Sequence, residues 1–335
     1  MTRLIAILAA GSALTLAGPA AQAADGPAEI NVAYFLEWPL PMLAAKADGG
    51  FEKALGAKVN WVSFETGTAM SAALASGDVQ LAVSQGLPPF VVAASAGQPI
   101  QVIDIAVSYS ENDNCVVSNN LEIDKTNAGE LAGKRVAVPV GTAAHYGFLR
   151  QMQHFGVDPS AMAVVDMAPP EGAAALAQGA VDMACGYGGG LTRMKEHGHV
   201  LLTGKEKEDL GILVFDVVST PSQFAAEYPD LLAAFIKVTE EENAKWRSGE
   251  GGDAMLEVLA KEAGMDLEPA RAAISTMEFP TLDEKLSEKW LGGGVQTFMK
   301  GVADTFAAAG SIGAAMDSYD GAVNAEPMRI ANGAQ

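Results

Sequence analysis

The run VNWVSFETGTAMSAALASGDVQLAVSQG, residues 59–86, contains the pattern on which the fold prediction rests. It begins with a β-rich segment that reaches Phe64, continues as an alanine-rich helical segment that closes at Gly77, and ends in a second apolar segment before Gly86. A glycine directly after a helical run is a typical C-terminal stop. Two short strands on either side of a helix of this length predict a β-α-β unit with parallel strands.

The same alternation continues on both sides of this unit. Short hydrophobic strands are predicted at 29–36, 57–64, 79–86, 98–109, 134–141, 161–169 and 181–188, and a helix is predicted at 41–56. From Pro221 onward the sequence predicts helices only, without a long linker. Strands separated by helices predict an α/β protein whose parallel sheets carry helices on both faces.

The first residues have a separate explanation. One cation, Arg3, precedes a run of small and aliphatic residues that ends in Ala21-Gln22-Ala23. This pattern is typical of a secretory signal peptide, here residues 1–23 with cleavage between Ala23 and Ala24. We therefore expect an exported protein that is located in the periplasm.

Charge and cysteine content limit the function further. The formal net charge of −20 argues against a nucleic-acid partner, which requires a basic face. The chain has only two cysteines, Cys115 and Cys185, both in strand-like surroundings. In an oxidising compartment they form either one disulfide or two separate buried thiols.

Ligands of open α/β sheets bind beyond the carboxyl ends of strands, so the residues after each predicted strand are site candidates. Small, hydroxylic and aromatic residues dominate this set, together with a few acids. The segments are Glu37-Trp38, Glu65–Thr68, Ser84–Gly86, Ser108-Tyr109, Gly141–Tyr146, Pro169–Glu171 and Tyr187–Gly190.

The run at 59–86, followed by PPFVVAASAGQPI and by LAGKRVAVPVGTAAHY, resembles the taurine and aliphatic-sulfonate substrate-binding proteins of ABC importers. The resemblance implies a type II periplasmic binding protein that closes two lobes over its ligand. It implies lobe 1 at 24–113 plus 217–335, lobe 2 at 114–216, and hinge strands at 114–118 and 215–220. The partners implied are a small zwitterion and a membrane permease with its ATPase, which the binding protein contacts only peripherally.

The segment Gly141-Thr142-Ala143-Ala144 predicts an anion site. A strand, a glycine turn and a threonine at the N-cap position precede a helix, so free backbone N–H groups face the cleft. The alternative is an ordinary capped helix. A second polar cluster at Ser84–Gly86 is either part of the site or a simple turn before Pro88.

An ammonium group needs carboxylates or aromatic faces. Asp216, a lone acid in the apolar run LVFDVVS, ranks first, and the alternative is a solvated position on an edge strand. Glu37 and Asp113 are further candidates. The rings of Trp38, Tyr109, Tyr146 and Tyr187 either face the ligand or pack in the core.

Two segments depart from the family pattern. The strand that ends Cys185-Gly-Tyr-Gly-Gly-Gly190 replaces a Trp-Ala-Pro ending, and the Glu37-Trp38 loop replaces a small polar loop. Taurine is the predicted ligand, and the alternatives are another aminosulfonate, a betaine-type or choline-like amine, a Thi5-like pyrimidine-precursor protein, and a sensory binding protein without an importer. The complete set of predicted ligand-binding residues is Glu37, Trp38, Thr68, Ser84, Gln85, Gly86, Tyr109, Asp113, Gly141, Thr142, Ala143, His145, Tyr146, Tyr187 and Asp216.

The sequence predicts no enzyme activity, no cofactor and no metal site. His197-Gly198-His199 is the one segment with metal-ligand spacing, and it lacks further ligands nearby. We interpret it as a turn. The protein is expected to be a monomer.

Overall fold

A computed structural model describes residues 26–333, so the predicted signal peptide lies outside the described residues. Ten strands form two five-stranded sheets. The strands are β1 Glu29–Phe35, β2 Lys58–Phe64, β3 Leu81–Gly86, β4 Ile100–Ser108, β5 Asp113–Ser118, β6 Arg135–Val138, β7 Ala163–Asp166, β8 Met183–Tyr187, β9 Gly198–Val200 and β10 Phe215–Pro221.

The first sheet has the order β2-β1-β3-β10-β4. Strand β1 is parallel to both β2 and β3, as the β-α-β pattern predicts, whereas β10 is antiparallel to β3 and β4. The predicted parallel arrangement is therefore confirmed for β1, β2 and β3 and is wrong for β10. Strand β10 returns from the second sheet, and it enters the first sheet in the opposite direction to its neighbours.

The second sheet has the order β7-β6-β8-β5-β9 and repeats this arrangement. Strand β6 is parallel to β7 and β8, and β5 is antiparallel to β8 and β9. The chain passes between the sheets at residues 109–112 and again at 201–214. Strand 113–118 lies in the second sheet and strand 215–221 in the first, while the lobe boundaries and the hinge role of these strands stay predictions.

Within the described residues, fifteen α-helices surround the two sheets. The predicted helix at 41–56 is two helices, because Gly49 adopts a left-handed conformation (φ 74°) that ends the first one. The helices are α1 Leu43–Asp48, α2 Gly50–Leu55, α3 Gly67–Ser76, α4 Leu87–Ser95, α5 Ala143–Phe155, α6 Pro169–Ala177, α7 Gly188–Lys195, α8 Gly204–Asp209, α9 Ser222–Glu227, α10 Pro229–Ser248, α11 Gly252–Glu262, α12 Leu267–Ile274, α13 Leu282–Leu286, α14 Gly294–Ala308 and α15 Glu326–Ala331.

Helix α3 shows why the opening sequence folds as predicted. The Thr66 hydroxyl accepts a hydrogen bond from the Ala69 amide at 3.2 Å, and Gly77 ends the helix with φ 81°. A side-chain acceptor at the start and a left-handed glycine at the end satisfy backbone groups that a helix leaves open. The helix thereby connects β2 to β3. Because both strands run parallel to β1, their carboxyl ends lie at the same edge of the sheet.

Cys115 and Cys185 form a disulfide between β5 and β8. The two residues lie directly opposite each other in this antiparallel pair and are both buried. The second sheet is thus cross-linked close to Tyr187, where β8 ends. None of the helices in residues 26–333 combines the length and apolarity that a membrane span requires.

Candidate functional site

A cavity of about 760 Å³ lies between the loops of the two sheets. The ends of β1, β2 and β3 line it from the first sheet, and the starts of α5, α6 and α7 line it from the second. Among the predicted ligand-binding residues, those on its wall are Glu37, Trp38, Gly86, Tyr109, Thr142, Ala143, Tyr187 and Asp216.

Asp216 lies on the cavity wall at the centre of a hydrogen-bonded cluster. Its Oδ2 accepts a bond from the Ser84 hydroxyl at 2.6 Å, and its Oδ1 accepts a bond from the Tyr109 hydroxyl. The Trp38 indole N–H donates to Ser84 Oγ at 2.9 Å, and the rings of Trp38 and Tyr109 meet edge to face with centroids 4.7 Å apart. The cluster thus combines one carboxylate with two ring systems.

The electrostatics of Asp216 distinguish it from an ordinary surface acid. Only 2% of the residue is exposed, and burial raises the pKa of its carboxyl group to about 8, against the effect of its two hydroxyl donors. Burial, followed by the charge of Asp216, also holds the pKa of Tyr109 well above its usual value. No Lys or Arg among the described residues pairs with this carboxyl group, so it is free to meet a cationic ligand.

The second-sheet wall contains the start of α5. Thr142 is the N-cap residue, but its hydroxyl donates to the Pro139 carbonyl at 2.6 Å instead of capping the helix. Within residues 26–333 the amides of Ala143 and Ala144 have no hydrogen-bond acceptor. These amides and the positive end of the helix dipole suit an anionic group.

His145 and Tyr146 do not line the cavity. His145 Nδ1 accepts a bond from the Gly141 amide at 3.1 Å, and its ring stacks on Phe306. Burial lowers the pKa of His145 to about 4, so the ring is neutral at pH 7. Tyr146 packs edge to face on Phe298, on the side of α5 away from the cavity. The helical period rotates both side chains away from the N-terminal amides.

Five other predicted residues lie behind the wall. Gln85 bonds Gly67 O at 2.8 Å and Ser71 Oγ and Ser219 Oγ at 2.6 Å each, so its amide joins elements of the first sheet. The Asp113 carbonyl accepts a bond from buried Lys207, and burial raises the pKa of its carboxyl group to about 6. The remaining members of this group are Ser84 beneath Asp216, Thr68 beside Thr66, and Gly141 before α5.

Glu37 lines the cavity, but it has a protein partner. Its two carboxylate oxygens accept hydrogen bonds from both terminal nitrogens of Arg193, at 2.9 and 3.0 Å. The prediction that Glu37 faces a ligand ammonium does not allow for this ion pair. Arg193 lies in the second turn of α7, and sequence reasoning missed it because only residues directly after strands were considered. Its signal was a cation in the second turn of the helix that follows a strand end.

Tyr187 lines the cavity on the second-sheet side. Its hydroxyl donates to the Glu65 carbonyl at 3.1 Å, which joins β8 to the loop after β2. Its ring lies 6.1 Å from that of Phe35. The loops of the two sheets therefore contact each other around the cavity. Across residues 26–333 no group of three or more His, Cys, Asp or Glu side chains is placed to hold a metal ion.

Comparisons with known proteins show the family to which the chain belongs. The sequence pattern of the family described as NMT1/THI5 like matches residues 39–243. The taurine-binding periplasmic protein of Escherichia coli (strain K12) is 33% identical over 197 residues, which are 59% of this chain and 60% of that protein. The match therefore spans less than two thirds of the relative.

Solved structures of proteins named as periplasmic binding proteins share the two-sheet α/β fold, which confirms the predicted fold class. The periplasmic aliphatic sulphonate binding protein SsuA from Escherichia coli matches with a TM-score of 0.68 and 20% identity, over 87% of this chain and 96% of that one. The periplasmic nitrate-binding protein NrtA from Synechocystis PCC 6803 matches with a TM-score of 0.72 and 13% identity, over 92% and 89%.

Proposed function

The chain belongs to the NMT1/THI5-like family, and from this premise we propose that it is the periplasmic solute-binding protein of an ABC importer. It binds a small amine-bearing sulfonate, taurine, in the cavity between the two sheets and presents it to a membrane permease with its ATPase. The likeness to a protein named for taurine binding supports this ligand class. The signal peptide predicted at residues 1–23 supports the periplasmic location.

The observation that carries the proposal is the unpaired carboxyl group of Asp216 on the cavity wall. A buried carboxylate is costly without a cation, and its raised pKa expresses this cost. A ligand ammonium removes the cost by supplying the missing charge. The faces and edges of Trp38 and Tyr109 shield the ion pair from water, and their rings attract a cation.

The sulfonate binds at the other wall, against the open amides of Ala143 and Ala144. Hydrogen bonds from backbone N–H groups to an anion are charge-assisted, and they need no lysine or arginine. A ligand with a cation at one end and an anion at the other thus meets complementary groups from both sheets. Because each sheet contributes one end, binding favours the arrangement in which the sheets enclose the ligand.

A methylated ammonium zwitterion is a second candidate for the same cavity. The volume of about 760 Å³ exceeds what a two-carbon zwitterion fills, and an aromatic pair beside a carboxylate also suits a quaternary ammonium. We propose binding without chemical change in either case. Both cysteines of the chain are engaged in the disulfide, so neither offers a thiol nucleophile.

Calorimetry against three matched compounds tests the proposal. Ethanolamine keeps the amine of taurine without its sulfonate, ethanesulfonate keeps the sulfonate without the amine, and glycine betaine replaces both end groups. We expect taurine to bind at least about 100-fold more tightly than either fragment, since each buried charged contact contributes about 2–3 kcal/mol. Buffers must be free of sulfonate groups. Equal affinities for taurine and ethanolamine would remove the anion site, and tighter binding of betaine would favour the second candidate.

A further inference from the structure

The two segments that depart from the family pattern, Glu37-Trp38 and Gly188–Gly190, form one contact across the cavity. Glu37 follows β1 of the first sheet, and Arg193 lies on α7, which follows β8 of the second sheet. Two hydrogen bonds of 2.9 and 3.0 Å join the two carboxylate oxygens to the two terminal nitrogens of the guanidinium. This bidentate arrangement fixes direction as well as charge.

The glycine turn leaves room for the Glu37 carboxylate. A methyl group on Gly189 would lie 2.2 Å from Glu37 Oε2, which is closer than any real contact. Gly188 has a φ of 55°, and a methyl group there would meet the Glu37 carbonyl oxygen at 3.2 Å and the Trp38 ring at 3.4 Å. The two successive glycines are therefore what allows the Glu37 loop to reach α7.

The backbone of Glu37 is strained in this position. Its φ is 54°, and Glu37 and Ser84 are the two non-glycine residues with positive φ within residues 26–333. A hydrogen bond of 2.7 Å from the Glu37 amide to the Ala263 carbonyl holds the loop. Strained non-glycine residues cluster at functional sites, where surrounding contacts enforce them.

The ion pair also changes the charge that a ligand meets. Among the residues that line the cavity, Arg193 is the single Lys, Arg or His, whereas Glu37, Glu65 and Asp216 are acids. With both terminal nitrogens of Arg193 bound to Glu37, no lining cation is left for a ligand anion. The open amides of Ala143 and Ala144 at the start of α5 are the groups that we propose for the sulfonate.

We propose that Glu37 determines charge specificity by occupying Arg193, so that the cavity accepts ligands with one anionic group and rejects ligands with a second one. This inference rests on the proposed function, because it specifies the ligand class of the same cavity. A second carboxylate on the ligand would find no counter-charge and would face the acids of the first-sheet wall. Releasing Arg193 supplies the missing counter-charge.

The test compares taurine with cysteate, which is taurine with one added carboxylate. In calorimetry at pH 7 the wild type is expected to bind taurine about 100-fold more tightly than cysteate. Glu37→Gln is expected to strengthen cysteate binding at least about tenfold, because the guanidinium becomes free. Gly189→Ala, whose methyl group displaces the carboxylate, is an independent second variant and is expected to shift affinity in the same direction.

The double variant Glu37→Gln/Arg193→Gln identifies the cause, since the gain must disappear when the guanidinium is absent. Asp182→Asn is the matched control. It removes one negative charge from the bidentate Arg135–Asp182 pair, which does not line the cavity, and it should leave the cysteate affinity unchanged. Thermal melts establish that each variant is folded.

Two results would overturn the inference: an unchanged cysteate affinity in Glu37→Gln, or a gain that persists in the double variant. Failure of the proposed function is recognised separately. If the wild type binds neither compound, the taurine proposal fails. The charge-specificity inference is then decided by whether cysteate binding appears in Glu37→Gln and disappears in the double variant.

Discussion

Asp216 and Glu37 are acids on the wall of one cavity, yet their surroundings assign them opposite tasks. Asp216 is 2% exposed and meets only hydroxyl donors, and its pKa is raised to about 8. Glu37 is more than one third exposed in its side chain and is bound at both oxygens by Arg193. Of these two acids, Asp216 is the one whose carboxyl group can pair with a ligand cation, because it has no protein cation as a partner within residues 26–333.

The difference shows that the residue type alone does not identify a ligand group. In the part of the chain that the structure describes, folding supplies no counter-charge for the carboxyl group of Asp216 on the first-sheet wall, whereas it pairs the carboxylate of Glu37 with Arg193. Substitutions at the first place should alter ligand affinity strongly. Substitutions at the second should alter selectivity and have little effect on taurine affinity itself.

The largest effect is expected from Asp216→Asn. The variant keeps the shape of the protonated acid and loses the charge that pairs with the ammonium, so taurine affinity should fall about 100-fold, as for other buried charged pairs. Calorimetry measures the loss. Thermal melts without ligand should be unchanged or improved, because the asparagine needs no proton in the buried position. An affinity within about threefold of the wild type would exclude Asp216 from the site.

The pH dependence of binding comes next. The ammonium requires the ionised carboxylate, so taurine affinity should rise by up to about tenfold per pH unit from pH 6 towards 8 and level off above it. Without ligand, the stability of the protein changes with pH in the opposite direction to the affinity. The contribution of Asp216 is complete below the unfolded pKa near 3.8 and is lost as pH rises through about 8. A taurine affinity that is constant from pH 6 to 8 would contradict the assignment.

A smaller effect is expected from Trp38→Phe. Phenylalanine keeps a ring beside Tyr109 but loses the indole N–H bond to Ser84 Oγ, which orients the hydroxyl donor of Asp216. One hydrogen bond contributes about 1 kcal/mol, so we expect about fivefold weaker taurine binding in the same calorimetric assay. A loss as large as that of Asp216→Asn would mean that the indole contributes much more to ligand binding than its hydrogen bond to Ser84 accounts for.

The smallest effect on taurine is expected from Glu37→Gln. A partly exposed ion pair contributes about 0–1 kcal/mol, so taurine affinity should fall no more than about fivefold. The measurement is a competition titration that gives the taurine affinity of the wild type and of the variant, each at low and at moderate salt. A loss near 100-fold would place the ligand ammonium on Glu37 and reverse the comparison of the two acids.

Local patterns account for what the sequence predicts correctly. The spacing of apolar residues predicts the strands, and Thr66 and Gly77 predict where α3 begins and ends. Asp216 is recognised as a site candidate because it is a charged residue in an apolar strand. The sequence does not predict β9, because its short run at His197-Gly198 has the composition of a turn. The antiparallel direction of β10 depends on the path between the sheets, which local patterns do not contain.

Sequence reasoning could not predict which side chains of the site contact each other. The contact between Glu37 and Arg193 joins residues 156 positions apart in the chain, and it depends on two glycines that lack side chains. His145 directly follows the anion segment Gly141–Ala144, yet the rotation of α5 turns its ring onto Phe306. Such contacts can be predicted only when the positions of whole helices and strands relative to one another are known.

Proton release on binding tests the central claim most directly. At pH 7 a carboxyl group with a pKa of about 8 is mostly protonated, and pairing with an ammonium must displace that proton. Titrating taurine in phosphate and in imidazole, which differ in ionisation enthalpy, should show net proton release on binding by the wild type, up to about one proton per ligand, and none in Asp216→Asn. Tight taurine binding by the wild type without proton release would contradict the account.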